Sequence, residues 1–279
     1  MVHLLLNTPE VSVLDNVLVS AGRHNLTEVL ALAAQNGLGV ELMSFAYPDI
    51  LDNDFKGTIT RLRTLLEDIR GPITLHGPFF DMSPGSIDER INTLVRHRFT
   101  QGLEAAAALG AKRMVVHANF LSSIRNDFYR VGWHERNVRF WADFAQIART
   151  FNVTICLENM WEFDPGILAQ LLAEVNHSSF ACCLDVGHAY LFSDEKVVLN
   201  DWVTTLQPWL IHVHLNNNNG RIDEHHGFNY PKGALNYKKI LPILRALPNQ
   251  PLMVLEMDKV DDMRDSLPYF QLQPTPSSD

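Results

Sequence analysis

Short apolar runs recur along the chain, separated by longer amphipathic stretches. They occupy residues 3–7, 39–44, 73–76, 113–117, 153–158, 180–185, 210–215 and 251–256. Each is brief and rich in Leu and β-branched residues, a pattern that predicts buried strands rather than helices. Helical periodicity fills the intervals. The stretch 26–36 opens at Asn25 or Thr27 and ends at Gly37. The stretch 54–69 places Ile59, Leu62, Leu65, Leu66 and Ile69 on one face and stops at Gly71-Pro72. Residues 88–109 end at Gly110, and 133–150 carry Trp141, Phe144 and Ile147. Further helices are expected over 164–175, 194–206, 236–247 and 260–268.

Strands that alternate with helices build a parallel sheet. No G-x-G-x-x-G follows any strand, so an open dinucleotide-binding sheet lacks its fingerprint. Eight repeats predict a single-domain (β/α)8 TIM barrel over residues 1–270. The remaining 271–279, QLQPTPSSD, have the composition of a loose tail.

Composition narrows the class without naming a function. The 279 residues are 46% hydrophobic and 20% charged, which excludes collagen, coiled coil and a disordered chain. The net charge of −9 advertises neither nucleic acid nor an anionic membrane. Cys156, Cys182 and Cys183 lie in apolar runs and read as buried free thiols. The run Leu4–Leu6 is too short for a leader, and no apolar stretch approaches the ~20 residues of a membrane span. A cytoplasmic protein is expected, so the sequons at Asn25, Asn152 and Asn176 are coincidental.

The 12 His change this picture. Six of the apolar runs end on a metal-capable side chain: His76, His117, Glu158, Asp185, His214 and Glu256. In a parallel barrel all strand C-termini meet at one mouth, where active sites are built. Two loop motifs extend the set. Asp185-Val-Gly-His188 follows the sixth strand, and Asp223-Glu-His225 follows the seventh after the Asn216–Asn219 run. Carboxylates gathered without a cation repel one another, and a divalent metal resolves the conflict. Mixed imidazole and carboxylate donors suit Zn, Mn, Fe or Co better than Ca, with Zn2+ or Mn2+ favoured. Glu41 fits the strand-end pattern less well, because Leu-Met-Ser follow it. Strand alternation turns Thr74, Val115, Cys156, Cys183, His212 and Val254 to the same side as the ligands. His212 is either hydrogen-bonded to a ligand carboxylate or a core histidine satisfied by backbone.

The motifs HGPF (76–79), VVH (115–117), LEN (157–159), LDVGHA (184–189), HVHLNNNNG (212–220), DEH (223–225) and LEM (255–257) resemble the xylose-isomerase-like barrel superfamily. The resemblance runs from about residue 39 to 257. That group holds sugar and sugar-phosphate isomerases and epimerases, and abasic-site nucleases of the endonuclease IV type. The ketose epimerase pattern implies one metal on Glu158, Asp185, His214 and Glu256, with His188 on a substrate hydroxyl. The nuclease pattern implies three zinc ions held by those residues together with His76, His117, His188, Asp223 and His225. The chain departs from the nuclease pattern at His117-Ala-Asn, where His-Pro-Gly is usual. It departs from the isomerase pattern at Pro231, which stands for the first Gly of Gly-x-Gly.

Three functions follow as expectations. The first is a metal-dependent isomerase or epimerase of a small sugar, sugar phosphate or related keto compound. There Glu158 and Glu256 exchange a proton or assist hydride transfer, and His188 contacts substrate. Phe79 and Trp161, with Phe80, Phe228 and Tyr230, are candidates to stack on a sugar, and Arg221 to meet a phosphate. The second is an endonuclease IV-like zinc phosphodiesterase acting on abasic DNA. Its phosphate contacts would fall to Arg125, Arg130, Arg221 and Lys232, but acidic neighbouring loops argue against DNA. The third is a ligand-binding barrel without turnover. The expected partner is a small carbohydrate, with no membrane; self-association is left open.

Overall fold

Eight parallel strands close into a barrel in chain order, and the last pairs with the first. They are β1 (Val17–Ala21), β2 (Gly39–Leu42), β3 (Ile73–His76), β4 (Arg113–His117), β5 (Thr154–Glu158), β6 (Phe180–Asp185), β7 (Leu210–Leu215) and β8 (Leu252–Leu255). The computed structural model describes residues 14–271. Outside the strands run α1 (Leu26–Asn36), α2 (Pro48–Asn53), α3 (Phe55–Leu65), α4 (Glu89–Leu109), α5 (Asp127–Thr150), α6 (Gly166–Val175), α7 (Val186–Phe192), α8 (Leu199–Leu206), α9 (Tyr237–Arg245) and α10 (Val260–Ser266).

The strand period of two separates two cores. Outward residues such as Val19, Val40, Leu75, Met114, Val116, Ile155 and Leu157 join the large cluster between strands and helices. Inward residues form small separate clusters, Leu18 with Leu252 and Val254, and Val115 with Cys156 and Cys183. The predicted inward set is therefore placed as expected. All three cysteines are free and buried. Between α5 and the sheet, the fully buried Trp141 stacks on Phe99 at 5.8 Å and on Phe180 at 5.3 Å. Its indole N–H donates to Asn137 Oδ1 at 3.1 Å.

Local chemistry sets the helix ends. The Asp88 side chain accepts the Arg90 N–H at the start of α4, and Asn126 accepts the Tyr129 N–H at the start of α5. Gly37 and Gly110 close α1 and α4 at φ of 68° and 78°, a left-handed conformation that suits glycine.

Several expectations are corrected. The run 3–7 lies outside the described residues, as does 272–279, most of the expected tail. The first strand of the barrel is Val17–Ala21. The helix expected over 54–69 is α3 alone, which ends at Leu65 and follows a separate short helix, α2; Leu65 is 44% exposed because α3 turns Thr58 and Leu62 inward instead. The helix expected from 133 starts at Asp127, and the one expected from 194 starts at Leu199. A short helix, α7, was not anticipated.

Candidate metal centre

The strand ends deliver the site. His76, His117, Glu158 and Asp185 are the last residues of β3 to β6; His214 is one before the end of β7, and Glu256 is one past β8. His188 comes from α7. Asp223 and His225 return to the mouth because Asn217 and His226 form a bridge, each N–H donating to the other's carbonyl at 2.9 Å. All nine residues named from the strand ends and loops are brought together. They fall into groups whose ligand atoms lie within 4.8 Å of one another. One is His76, His117 and Glu158; one is Glu158, Asp185, His214 and Glu256; one is His188, Asp223 and His225. A lower group joins Cys183 and His212 to His214, but burial holds the Cys183 thiol well above its ordinary pKa. Glu158 belongs to two groups, so it can bridge them.

Hydrogen bonds aim the donors. His76 Nδ1 lies 3.0 Å from the Gly77 carbonyl, and His188 Nδ1 lies 3.0 Å from the Asn159 carbonyl. A carbonyl only accepts, so each Nδ1 carries a proton, and Nε2 is the atom that would give up its own proton to bind a metal. Those Nε2 atoms face Glu158 Oε2 at 3.4 Å and Asp223 Oδ2 at 3.3 Å. Asp185 is fixed more tightly. Its N–H donates to Asn159 Oδ1 at 2.9 Å and its carbonyl accepts from Asn159 Nδ2 at 3.0 Å. Its carboxylate accepts from the His188 N–H at 2.6 Å and from Asn216 Nδ2 at 2.8 Å. Asp185 is thus both a strand-end candidate ligand and the cap of α7.

Electrostatics make this a place for a cation. Burial alone would raise Glu158, but the charges of His214 and His117 hold its carboxyl well below the usual range. Glu256 is lowered likewise: burial opposes ionisation, and His214 and His225 outweigh it. Burial works against protonating His225, yet Glu256 and Asp223 raise it to about 9. Asp185 is pushed up to about 6 by burial and by repulsion from Glu158 and Glu256. Without metal, imidazolium protons therefore balance the carboxylates. Glu158 Oε2, Glu256 Oε2 and His188 Nε2 are buried with no hydrogen-bond partner aligned on them. Unpartnered buried nitrogen and oxygen donors, facing one another, fit a divalent ion such as zinc or manganese.

A cavity of about 330 Å³ opens beside the centre, lined by Arg23, His24, Tyr47 and Asp258 together with Asp223, His225 and Glu256. Phe79 joins this mouth: its ring lies 5.1 Å from His76 and 5.5 Å from His117. Phe80 packs on Phe79 at 4.2 Å and reaches Tyr47 at 5.5 Å. Trp161 is half-buried in the loop after β5, and Arg221 is exposed on the loop after β7; neither lines the cavity. Phe228 is buried against Tyr237 at 3.7 Å, so it packs the fold instead of facing a sugar. Tyr230 stacks on His226 at 3.8 Å. Sequence reasoning missed Asn159 and Asn216, although LEN and the Asn run were visible. It also missed Arg23 and Tyr47, whose loops carry no ligand.

The family described as xylose isomerase-like TIM barrel matches residues 30–272. Among solved structures, the TTHB071 protein from Thermus thermophilus, soaked with zinc chloride, superposes with a TM-score of 0.76 at 27% identity, covering 92% of this chain and 96% of that one. A D-tagatose 3-epimerase-like protein gives a TM-score of 0.76 at 23% identity, covering 91% and 95%. The uncharacterised protein MJ1311 of Methanocaldococcus jannaschii is 26% identical over 199 residues, which are 68% of this chain and 66% of the relative, just under two thirds of its length.

Proposed function

Since the chain belongs to the xylose isomerase-like TIM barrel family, we propose that it is a divalent-metal-dependent epimerase or isomerase of a small keto sugar or sugar phosphate. The observation that carries the reading is the buried group Glu158, Asp185, His214 and Glu256, set beside an open cavity that Glu256 and Tyr47 help to line. The likeness to a D-tagatose 3-epimerase-like structure supports the same substrate class.

A metal bound at these residues would polarise a substrate carbonyl and its neighbouring hydroxyl oxygen. The protein supplies the proton chemistry. Glu158 and Glu256 rise from strands three apart in the barrel. One takes the proton from the carbon beside the carbonyl; the other, once protonated, returns a proton to the opposite face. His188 is held by Asn159 and points its Nε2 into the mouth, where it orients a substrate hydroxyl. Phe79 covers the apolar face of the sugar and excludes water.

The test is turnover. Protein stripped by chelator and reloaded with Mn2+, Co2+ or Zn2+ should interconvert epimers within a panel of ketoses and ketose phosphates. A loaded protein that leaves every sugar unchanged contradicts the proposal.

A zinc phosphodiesterase is the second reading, favoured by the three adjacent ligand groups. Against it stand the arginines such an enzyme needs for the nucleic-acid backbone. Arg125 pairs with Asp194 at 2.7 Å and Arg130 with Asp164 at 3.2 Å. Cleavage of an abasic-site duplex by zinc-loaded protein would favour this second reading.

A further inference from the structure

Below the ligands, the barrel interior holds a carboxylate that the chemistry above does not use. Glu41, on β2, is fully buried. Its Oε2 accepts hydrogen bonds from Thr74 Oγ1 at 2.7 Å and from His212 Nε2 at 2.9 Å. Its Oε1 has no aligned hydrogen bond and lies 2.9 Å from His214 Nε2, which is also buried and has none. The two atoms are complementary, because a carboxylate oxygen accepts and a ring nitrogen can donate. On the other side of that ring, His214 Nδ1 faces Glu158 Oε1 at 3.2 Å and Glu256 Oε2 at 3.1 Å. One imidazole thus spans two layers.

Packing does not explain Glu41. Val115, Cys156, Cys183 and Val254 fill neighbouring inward positions with small apolar groups. A buried carboxylate destabilises the fold unless its partners neutralise it and hydrogen-bond it. The register explains how it reaches its partners: Glu41 lies opposite Thr74 on β3, and His212 precedes His214 by one period of β7.

We propose that Glu41 is a positioning residue for His214, holding the ring proton on Nε2 so that Nδ1 is free to bind a divalent metal with Glu158, Asp185 and Glu256. Thr74 and His212 hold the carboxylate in place. The role rests on the metal-centre reading and adds to it the group that sets the ligand's tautomer. Such supporting carboxylates commonly change metal affinity by about 10–100-fold when removed.

The test uses zinc ion alone. Wild-type protein and Glu41→Gln are titrated with Zn2+ against a chromophoric chelator, and the His214 ring is followed by 15N NMR in histidine-labelled protein. In Glu41→Gln we expect zinc affinity to fall at least about tenfold and the His214 proton to leave Nε2. Thr74→Val keeps the charge but frees the carboxylate, and should lose about threefold; it serves if Glu41→Gln does not fold. Wild-type affinity in the folded variants, with the proton still on Nε2, overturns the proposal and leaves the metal centre standing. A wild type that takes up no zinc overturns both.

Discussion

At the scale of single residues, the proposed function has the centre trade protons for a cation. His225 is raised to about 9, so its charge stabilises the metal-free fold below about pH 6.5, and that contribution is lost as pH rises through 9. Glu256 and Asp223 are lowered, so their contribution is present above about pH 4 and is lost in acid. Metal-free protein should therefore melt about 5 °C lower at pH 9 than at pH 6.5. Zinc should raise the melting temperature more at pH 8.5 than at pH 6, because fewer protons must then be displaced. A zinc effect that shrinks as pH rises would contradict this. Glu158→Gln and Glu256→Gln should each lower kcat by at least about 100-fold with the far-ultraviolet circular dichroism unchanged. Five of the six strand-end candidates were legible in the sequence because each closes an apolar run, and His214 because it stands one before the end of its own. Glu41 was not, because its importance comes from the β2–β3 pairing and from β7, which no local pattern reports. Asn159 and Asn216 were visible only as loop residues, since their hydrogen bonds to Asp185 span 26 and 31 positions.

At the scale of elements, the β6–α7 junction is the most exacting. Asp185 ends a strand, caps a helix and offers a ligand oxygen within a few residues. A Cβ on Gly187 would stand 2.0 Å from Asn216 Oδ1, in the side chain that hydrogen-bonds the Asp185 carboxylate. Gly187→Ala should displace Asn216, weaken zinc binding about tenfold and destabilise the fold by about 1–3 kcal/mol. Isothermal titration and urea melts measure the two effects separately. Trp141→Ala, remote from the mouth, should cost about 3–5 kcal/mol and leave zinc affinity unchanged. The later strands and most helices could be read from periodicity. α7 could not, because seven residues that begin inside a ligand motif leave too little periodic signal. β1 was missed because its uninterrupted apolar run, Val17–Val19, is only three residues long before Ser20 breaks it.

At the scale of the molecule, the closed barrel makes the site possible. Residues as distant in sequence as Glu158 and Glu256 meet because parallel strands end at one mouth. The mouth carries its positive charge as imidazolium and, by the proposed function, as metal; its loop arginines Arg125 and Arg130 are committed to acidic neighbours. No helix among the described residues is long and apolar enough to cross a membrane. The shape suits a small molecule entering a cavity of about 330 Å³ better than a duplex lying across the rim. The central claim is proton transfer at carbon between Glu158 and Glu256, and solvent exchange tests it most directly. Metal-loaded protein incubated with keto sugars in deuterium oxide should place deuterium on the carbon next to the carbonyl of at least one of them, and Glu256→Gln should not. No incorporation across the panel, with cleavage of an abasic-site duplex by the same preparation, would contradict the account.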